Sequence, residues 1–321
     1  MAHEVEQMAF ANEVPWHGLG NRLEVGANVD TWLEKAGLNW NVKLHPTFAQ
    51  VDDKLIRVPN KSALIRDLDN KVLTTASDNW KPIQNREVLE FFNEYARAGG
   101  ATLETAGSLR GGKMVWGLAN LGHGFTTNNG RDAVKGYVLF ASPHEAGKAS
   151  SIRVTGTRVV CANTMAIALG GHKGGIYTQN HLKDFDFDTA RDTIGLAHES
   201  MLKMELNAKA LEALSLSEYD TVRVLAKHFQ PAKEGASEAT HVKALIDDVE
   251  SRNQAMHEVL LSVTKAPGAV PGNAWGVINA VTFWADHIAG RSKDARMTKA
   301  WFGENAKIKQ DVEADLLALV A

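Results

Sequence analysis

The chain has 321 residues, a formal net charge of −3, 44% hydrophobic residues and a single cysteine. That length supports one large domain or two ordinary ones, and the balance of apolar and charged residues is that of a globular protein. One cysteine excludes an intramolecular disulfide framework and a zinc ribbon and fits a reducing cytosol, while the polar start and the lack of a span-length apolar run speak against a signal peptide or a membrane protein.

In chain order, Val14-Pro-Trp-His-Gly-Leu-Gly20 reads as a turn with Trp16 as its anchor. Asp30 to Gly37 has the pattern of a short capped helix, with Trp32, Leu33 and Ala36 on one face and Gly37 closing it. Trp40 to Leu44 alternates as a strand. Further strands are expected at 46–51, 54–58 and 61–68, with turns at Asp52-Asp53 and Asp69-Asn70. In Ser77-Asp-Asn-Trp-Lys-Pro-Ile-Gln-Asn85, Pro82 keeps Lys81 extended and Asn85 is placed to cap a helix over Arg86–Ala98. Val88, Leu89, Phe92 and Tyr95 form the apolar stripe of that helix, and Gly99-Gly100 ends it.

A strand pair follows at Thr102–Ala106 and Lys113–Ala119, then a hairpin of Gly136–Ala141 and Ser150–Val160 around a loop at Ser142–Lys148. Arg153 to Leu169 opens as a strand. Its polar Asn163-Thr164 then suits the start of a short helix, over Met165 to Leu169, that Gly170-Gly171 would end. A buried strand feeding a core helix explains most of this passage; Arg153 and Arg158 need partners that packing alone does not supply. Beyond Gly174-Gly175 the texture turns helical. The stripe Ile194, His198/Met201, Leu202, Glu205, Ala208 and Leu211 predicts helix from about 188 to 229, broken near Ser215-Leu-Ser217. Helices are also expected at 240–263, 273–289 and 309–319. The fold class is α+β: an antiparallel sheet and hairpin core with packed helices over 1–185, then a mainly helical region over 186–321.

Chemistry concentrates in the middle of the chain. Between Arg97 and Lys173 nine Lys/Arg stand against three acids, whereas from His181 onward sixteen basic residues face twenty-one acidic ones. A polyanionic partner would dock on that basic middle. Trp80, Lys81, Arg110, Lys113, Arg153 and Arg158 combine cations with an indole, the ingredients of single-strand binding by phosphate neutralisation and base stacking. Gly107-Ser-Leu-Arg-Gly-Gly-Lys113 has phosphate-loop spacing, but Met114 replaces the magnesium-binding hydroxyl and a strand follows where a helix is required. It reads as a basic hairpin turn. None of the twelve histidines falls in a metal-binding pattern, so no metal or cofactor is expected. The alternative is an enzyme acting on nucleotides or nucleic acid, using Cys161 with His144 as its base or a histidine-metal site; a third reading is an anti-defence protein that blocks a host factor.

Pro15-Trp-His-Gly-Leu-Gly20, Trp80-Lys-Pro-Ile-Gln-Asn85, Glu104-Thr-Ala-Gly-Ser-Leu-Arg-Gly-Gly112 and Arg158-Val-Val-Cys-Ala-Asn-Thr164 resemble blocks of the phage/plasmid-like proteins (domain of unknown function 932). Gly272-Asn-Ala-Trp-Gly276, Asn279-Ala-Val-Thr282 and Trp301-Phe-Gly303 extend the resemblance over nearly the whole chain. It implies a mobile element, with DNA replication, recombination or anti-defence as the setting and the host cytoplasm as the location. A distant similarity to single-strand annealing recombinases would add a homo-oligomer. It carries no site residue across. The combined expectation is a non-enzymatic protein that binds nucleic acid, in particular single-stranded DNA.

Overall fold

The computed structural model describes residues 5–15, 18–97, 101–128, 130, 132–158, 164–165, 176–195, 197–266, 270–290, 299–300 and 303–320. The chain is α+β. It forms two compact units, one of Met1–Gly122, Tyr137–Val154 and Lys173–Ala197, the other of His123–Gly136, Thr155–His172 and His198–Ala321. Each is made from three separate stretches of the chain; the boundaries at 122/123, 136/137 and 154/155 fall within strands and that at 197/198 within a helix.

The first unit begins with β1 (Val5–Ala11), β2 (Asn21–Leu23) and α1 (Val29–Lys35). Asn28 caps α1 by accepting from the Thr31 amide at 2.9 Å, and Gly37 takes the left-handed φ that ends it. Trp32, Leu33 and Ala36 are buried, on the face the spacing predicts. Next come β3 (Val42–Val51), β4 (Lys54–Arg66) and β5 (Lys71–Ala76), an antiparallel three-stranded sheet. The short strands expected at 40–44 and 46–51 are one strand here, and those at 54–58 and 61–68 another. Pairing continues across irregularities at Pro46/Phe48 and Leu64/Ile65 without breaking the ribbon. Asp52 and Asn70 hold the left-handed positions of the two turns, which their short polar side chains tolerate.

Helix α2 (Asn85–Arg97) buries Val88, Leu89, Phe91 and Phe92. A methyl group on Gly117 would lie 2.6 Å from the Phe92 ring, so that glycine lets α2 sit close on the sheet. Asn85 serves differently from the expected cap. Its amide donates to the carbonyls of Leu38 and Trp40, tying the helix start to the α1–β3 connection, while the Glu87 carboxylate accepts from the Gln84 amide at 2.6 Å.

The larger sheet also contains β6 (Thr102–Leu109), β7 (Met114–Thr127), β8 (Asp132–Pro143), β9 (Ser150–Arg158), β10 (Thr164–Met165) and β11 (Ile176–Gln179). Its order is β10-β9-β8-β7-β6-β1-β2, with β11 also paired to β9. β1 and β2 run parallel, so the sheet is mixed. Thr164-Met165, expected at a helix start, instead pairs antiparallel with Thr157 and Gly156 of β9. Cys161, Asn163 and residues 166–169 lie outside the described residues. One apolar cluster joins Trp32, Leu38, Trp40, Leu64, Leu73, Trp80, Leu89 and Val115, and so holds α1, α2, the small sheet and β6–β7 together.

After α3 (Phe187–Gly195), α4 (Ala197–Ala213) leads into the second unit. There Met201 lies over Gly136, and Met204 near Gly156. Met201, Met204, Ala208 and Leu211 are buried whereas Leu202 is exposed, so the predicted stripe is rotated by about one residue. The predicted break is present at Leu214–Ser217, where Ser217 caps α5 (Glu218–Phe229). The single helix expected at 240–263 is two, α6 (Glu238–Arg252) and α7 (Gln254–Lys265). Asn253 divides them, accepting from the Met256 amide and donating to the Phe229 carbonyl. Helix α8 (Ala274–Phe283) continues as a π-helical turn (Trp284–Ile288), and α9 (Glu304–Leu317) starts five residues before its expected position. Trp275, Ile278, Val281, Leu245, Val259 and Leu316 make this unit's core.

Candidate nucleic-acid interface

The candidate site belongs to the first unit and is built on the β6–β7 turn. Arg110, Gly111 and Gly112 all have positive φ, at 52°, 66° and 87°. Two glycines adopt such angles freely, and crowding adds a second reason for them. A Cβ on Gly111 would fall 2.1 Å from the Lys71 ammonium, and one on Gly112 would lie 3.0 Å from Arg66 Nη1 and 3.3 Å from the Trp40 ring. Beneath the turn, Arg66 forms a two-pronged pair with Asp69 (2.9 and 2.6 Å), and its Nη1 donates to both oxygens of Glu6 at 2.9 Å. The guanidinium also lies 5.4 Å from the Trp40 ring centre. Its hydrogen bond holds the Asp69 carboxyl at about 2. Arg66 is fully committed to these partners and supports the turn; it has little left for a ligand.

Above it the cations are less matched. Arg110 approaches Glu145 at 2.8 Å and Lys148 approaches the same oxygen at 2.9 Å. Burial alone would raise the Glu145 carboxyl, but the hydrogen bond from Lys148 and the charges of Arg110, Lys148 and Lys113 outweigh it and hold the group below its ordinary value. One carboxylate therefore serves three cations, with Lys71 beside them at Gly111. Arg110 Nε makes no hydrogen bond among the described residues. Such a cluster retains positive potential toward solvent.

His144 joins this turn to the Trp80-Lys81 segment. Its ring is fully buried, with Nδ1 3.1 Å from the Gly112 carbonyl and Nε2 3.2 Å from the Ile83 carbonyl. Burial lowers its pKa to about 4 despite those two acceptors. Both nitrogens face backbone oxygens, so neither is placed to serve Cys161 as a catalytic base, and Cys161 itself lies outside the described residues.

Lys81 points to solvent, 3.9 Å from Asp184, and its backbone makes two bonds to His181: the Lys81 amide donates to the His181 carbonyl, and His181 Nδ1 donates to the Lys81 carbonyl at 2.8 Å. That fixes the His181 tautomer, so Nε2 accepts from the Ser150 hydroxyl at 3.2 Å. Ser150 is fully buried, and this Ser–His pair is structural. An open cleft of about 540 Å³ is lined by Leu44, Asp78, Asn79, Trp80, Lys81, Pro82 and Leu182.

Of the six residues named from sequence, Arg110 and Lys113 share the β6–β7 turn that His144 contacts, while Lys81 lies two residues before Ile83, whose carbonyl His144 also reaches, and is itself held against His181 and Asp184. Trp80 is a core residue, 6% exposed, with one face stacked on His181 at 4.1 Å; it has no open face for a base. Arg153 is largely buried within β9, which lowers its pKa, and its Nη2 donates to the Ser151 hydroxyl at 3.3 Å. Arg158 ends β9. Its side chain lies outside what is described. Lys71, Glu145 and Lys148 were missed because they arrive from two other hairpins, and no spacing in the sequence links them to Arg110. Among the described residues no group of three or more His, Cys, Asp or Glu is arranged to hold a metal ion, and no helix is long and apolar enough to cross a membrane.

The family model described as a domain of unknown function (DUF932) matches residues 72–301, and the chain belongs to that family. No curated protein and no solved structure matches it.

Proposed function

We propose that this member of the DUF932 family is a non-enzymatic binder of nucleic acid, with single-stranded DNA as its principal ligand, acting in replication or recombination of a mobile element in the host cytoplasm. The reading is supported chiefly by one observation: Arg110, Lys113 and Lys148 share the single carboxylate of Glu145, with Lys71 alongside. At the turn as a whole, five cations (Arg66, Lys71, Arg110, Lys113 and Lys148) stand against three acids (Glu6, Asp69 and Glu145), which leaves a net attraction for a backbone that carries one phosphate per nucleotide. The glycine turn lets that backbone approach closely.

Labelled single- and double-stranded oligonucleotides titrated across a salt series by fluorescence anisotropy test the proposal. Neutralising about four phosphates of a single strand predicts a log–log salt slope of about −3. Arg110→Ala with Lys113→Ala should weaken binding and make the slope shallower by about 1.4. Absence of binding at low salt, or an unchanged slope in the folded double variant, would overturn it.

A further inference from the structure

The arginine best placed to hold a phosphate already holds a carboxylate. Arg110 Nη2 lies 2.8 Å from Glu145 Oε2, and that oxygen is shielded from solvent together with Arg110 Nε and Nη2. Nε and Nη2 form one edge of the guanidinium, so Glu145 covers the edge that would grip a ligand. Nε meanwhile makes no hydrogen bond among the described residues. A carboxylate and a phosphate both present a pair of anionic oxygens to that planar fork, and the two compete for it.

The backbone beside Glu145 is anchored, whereas its side chain is not. His144 donates its amide to the Lys113 carbonyl at 2.9 Å, and its buried ring spans the Gly112 and Ile83 carbonyls. Lifting the β8–β9 loop from the turn would break these buried contacts. Glu145 hangs from that anchor by its own flexible stem, with 26% of its side chain exposed. Lys148, 39% exposed, lies 2.9 Å from the same Oε2. Rotation within the Glu145 side chain can therefore carry the carboxylate off Arg110 while Lys148 and water still receive it. Arg110 stays in place, because its backbone is fixed in the turn at a φ of 52°.

We propose that Glu145 is a built-in competitor of the bound strand: its carboxylate occupies Arg110 in the free protein and moves to Lys148 and solvent when a backbone phosphate takes the guanidinium. The proposal rests on the nucleic-acid reading above and names the residue that limits its affinity.

Glu145→Gln tests it, keeping the size of the side chain and removing its charge. In the anisotropy assay this variant should bind a single-stranded oligonucleotide about three- to tenfold more tightly than wild type, since binding no longer has to break a partly exposed ion pair. Two controls separate this from a change in net charge alone. Asp52→Asn removes an acid at the opposite end of β4 from Arg66 and should alter affinity less than about twofold. In an Arg110→Ala background, Glu145→Gln should add little. Unchanged or weaker binding by the folded glutamine variant would overturn the proposal, as would an equal gain without Arg110. Circular dichroism checks folding. The wild type supplies a reading that needs no variant to fold as well as it does: the Arg110 Nε–H resonance, assigned by its loss in Arg110→Lys, should shift at saturation with the strand as Nε gains a phosphate partner. A resonance that stays in place would overturn this proposal alone, whereas binding by neither wild type nor the glutamine variant would overturn the nucleic-acid reading with it.

Discussion

His144 offers a direct test of how the first unit is held together. It is fully buried, and its ring spans the Gly112 and Ile83 carbonyls. A neutral ring donates to only one of them; a charged ring would satisfy both but would have to be desolvated. Burial prevails and places the pKa at about 4, against 6.5 for an ordinary histidine. Above 6.5 the ring is neutral whether folded or unfolded, and stability is unaffected. Below it the unfolded chain takes up the proton first, so stability falls as pH drops from 6.5 toward about 4 and then levels. Between about pH 7.5 and about pH 4.5 the loss from this one ring is about 2.5 kcal/mol. Burial lowers the His181 pKa too, which adds loss in the same direction. His144→Gln supplies an amide with two donors and no titration. Urea denaturation at the two pH values should show the wild type losing about 2.5 kcal/mol more than the glutamine variant. Equal losses, or a variant more acid-sensitive than the wild type, would mean that the folded ring is charged, and the burial argument would fail.

Two further outcomes follow from packing. Lys309 and Asp286 pair at 2.9 Å with only 2% and 8% of their side chains exposed, so Lys309→Ala should cost about 3–5 kcal/mol by leaving a buried charge, whereas Lys309→Met with Asp286→Leu should recover much of it; thermal or urea unfolding measures both. A Cβ on Gly107 would lie 2.5 Å from the Gln7 carbonyl and 2.6 Å from the Met8 Cβ, so Gly107→Ala should push β1 from β6 at a cost of about 1–3 kcal/mol, and increased hydrogen exchange at the Met8 and Ala9 amides would report it.

Local patterns carried much of the fold on their own. The α1 stripe, the α2 stripe, the turns at Asp52 and Asn70, the hairpin turn at Arg110–Lys113 and the break before Ser217 are written in residues close together in the chain, where periodicity and backbone preference act directly. Arg110 and Lys113 are close enough in the chain for the sequence to place both on one turn. Tertiary structure decided the rest. Asn85 has the chemistry of a cap, but two carbonyls brought close by the chain's return compete for its amide. Trp80 reads equally well as a stacking platform or a core residue, and only His181, a hundred residues later, settles it. The cluster around Glu145 draws on three hairpins. Each of these depends on which distant segment arrives beside a residue. Local spacing contains no record of that, because burial and partnership are properties of the folded neighbourhood.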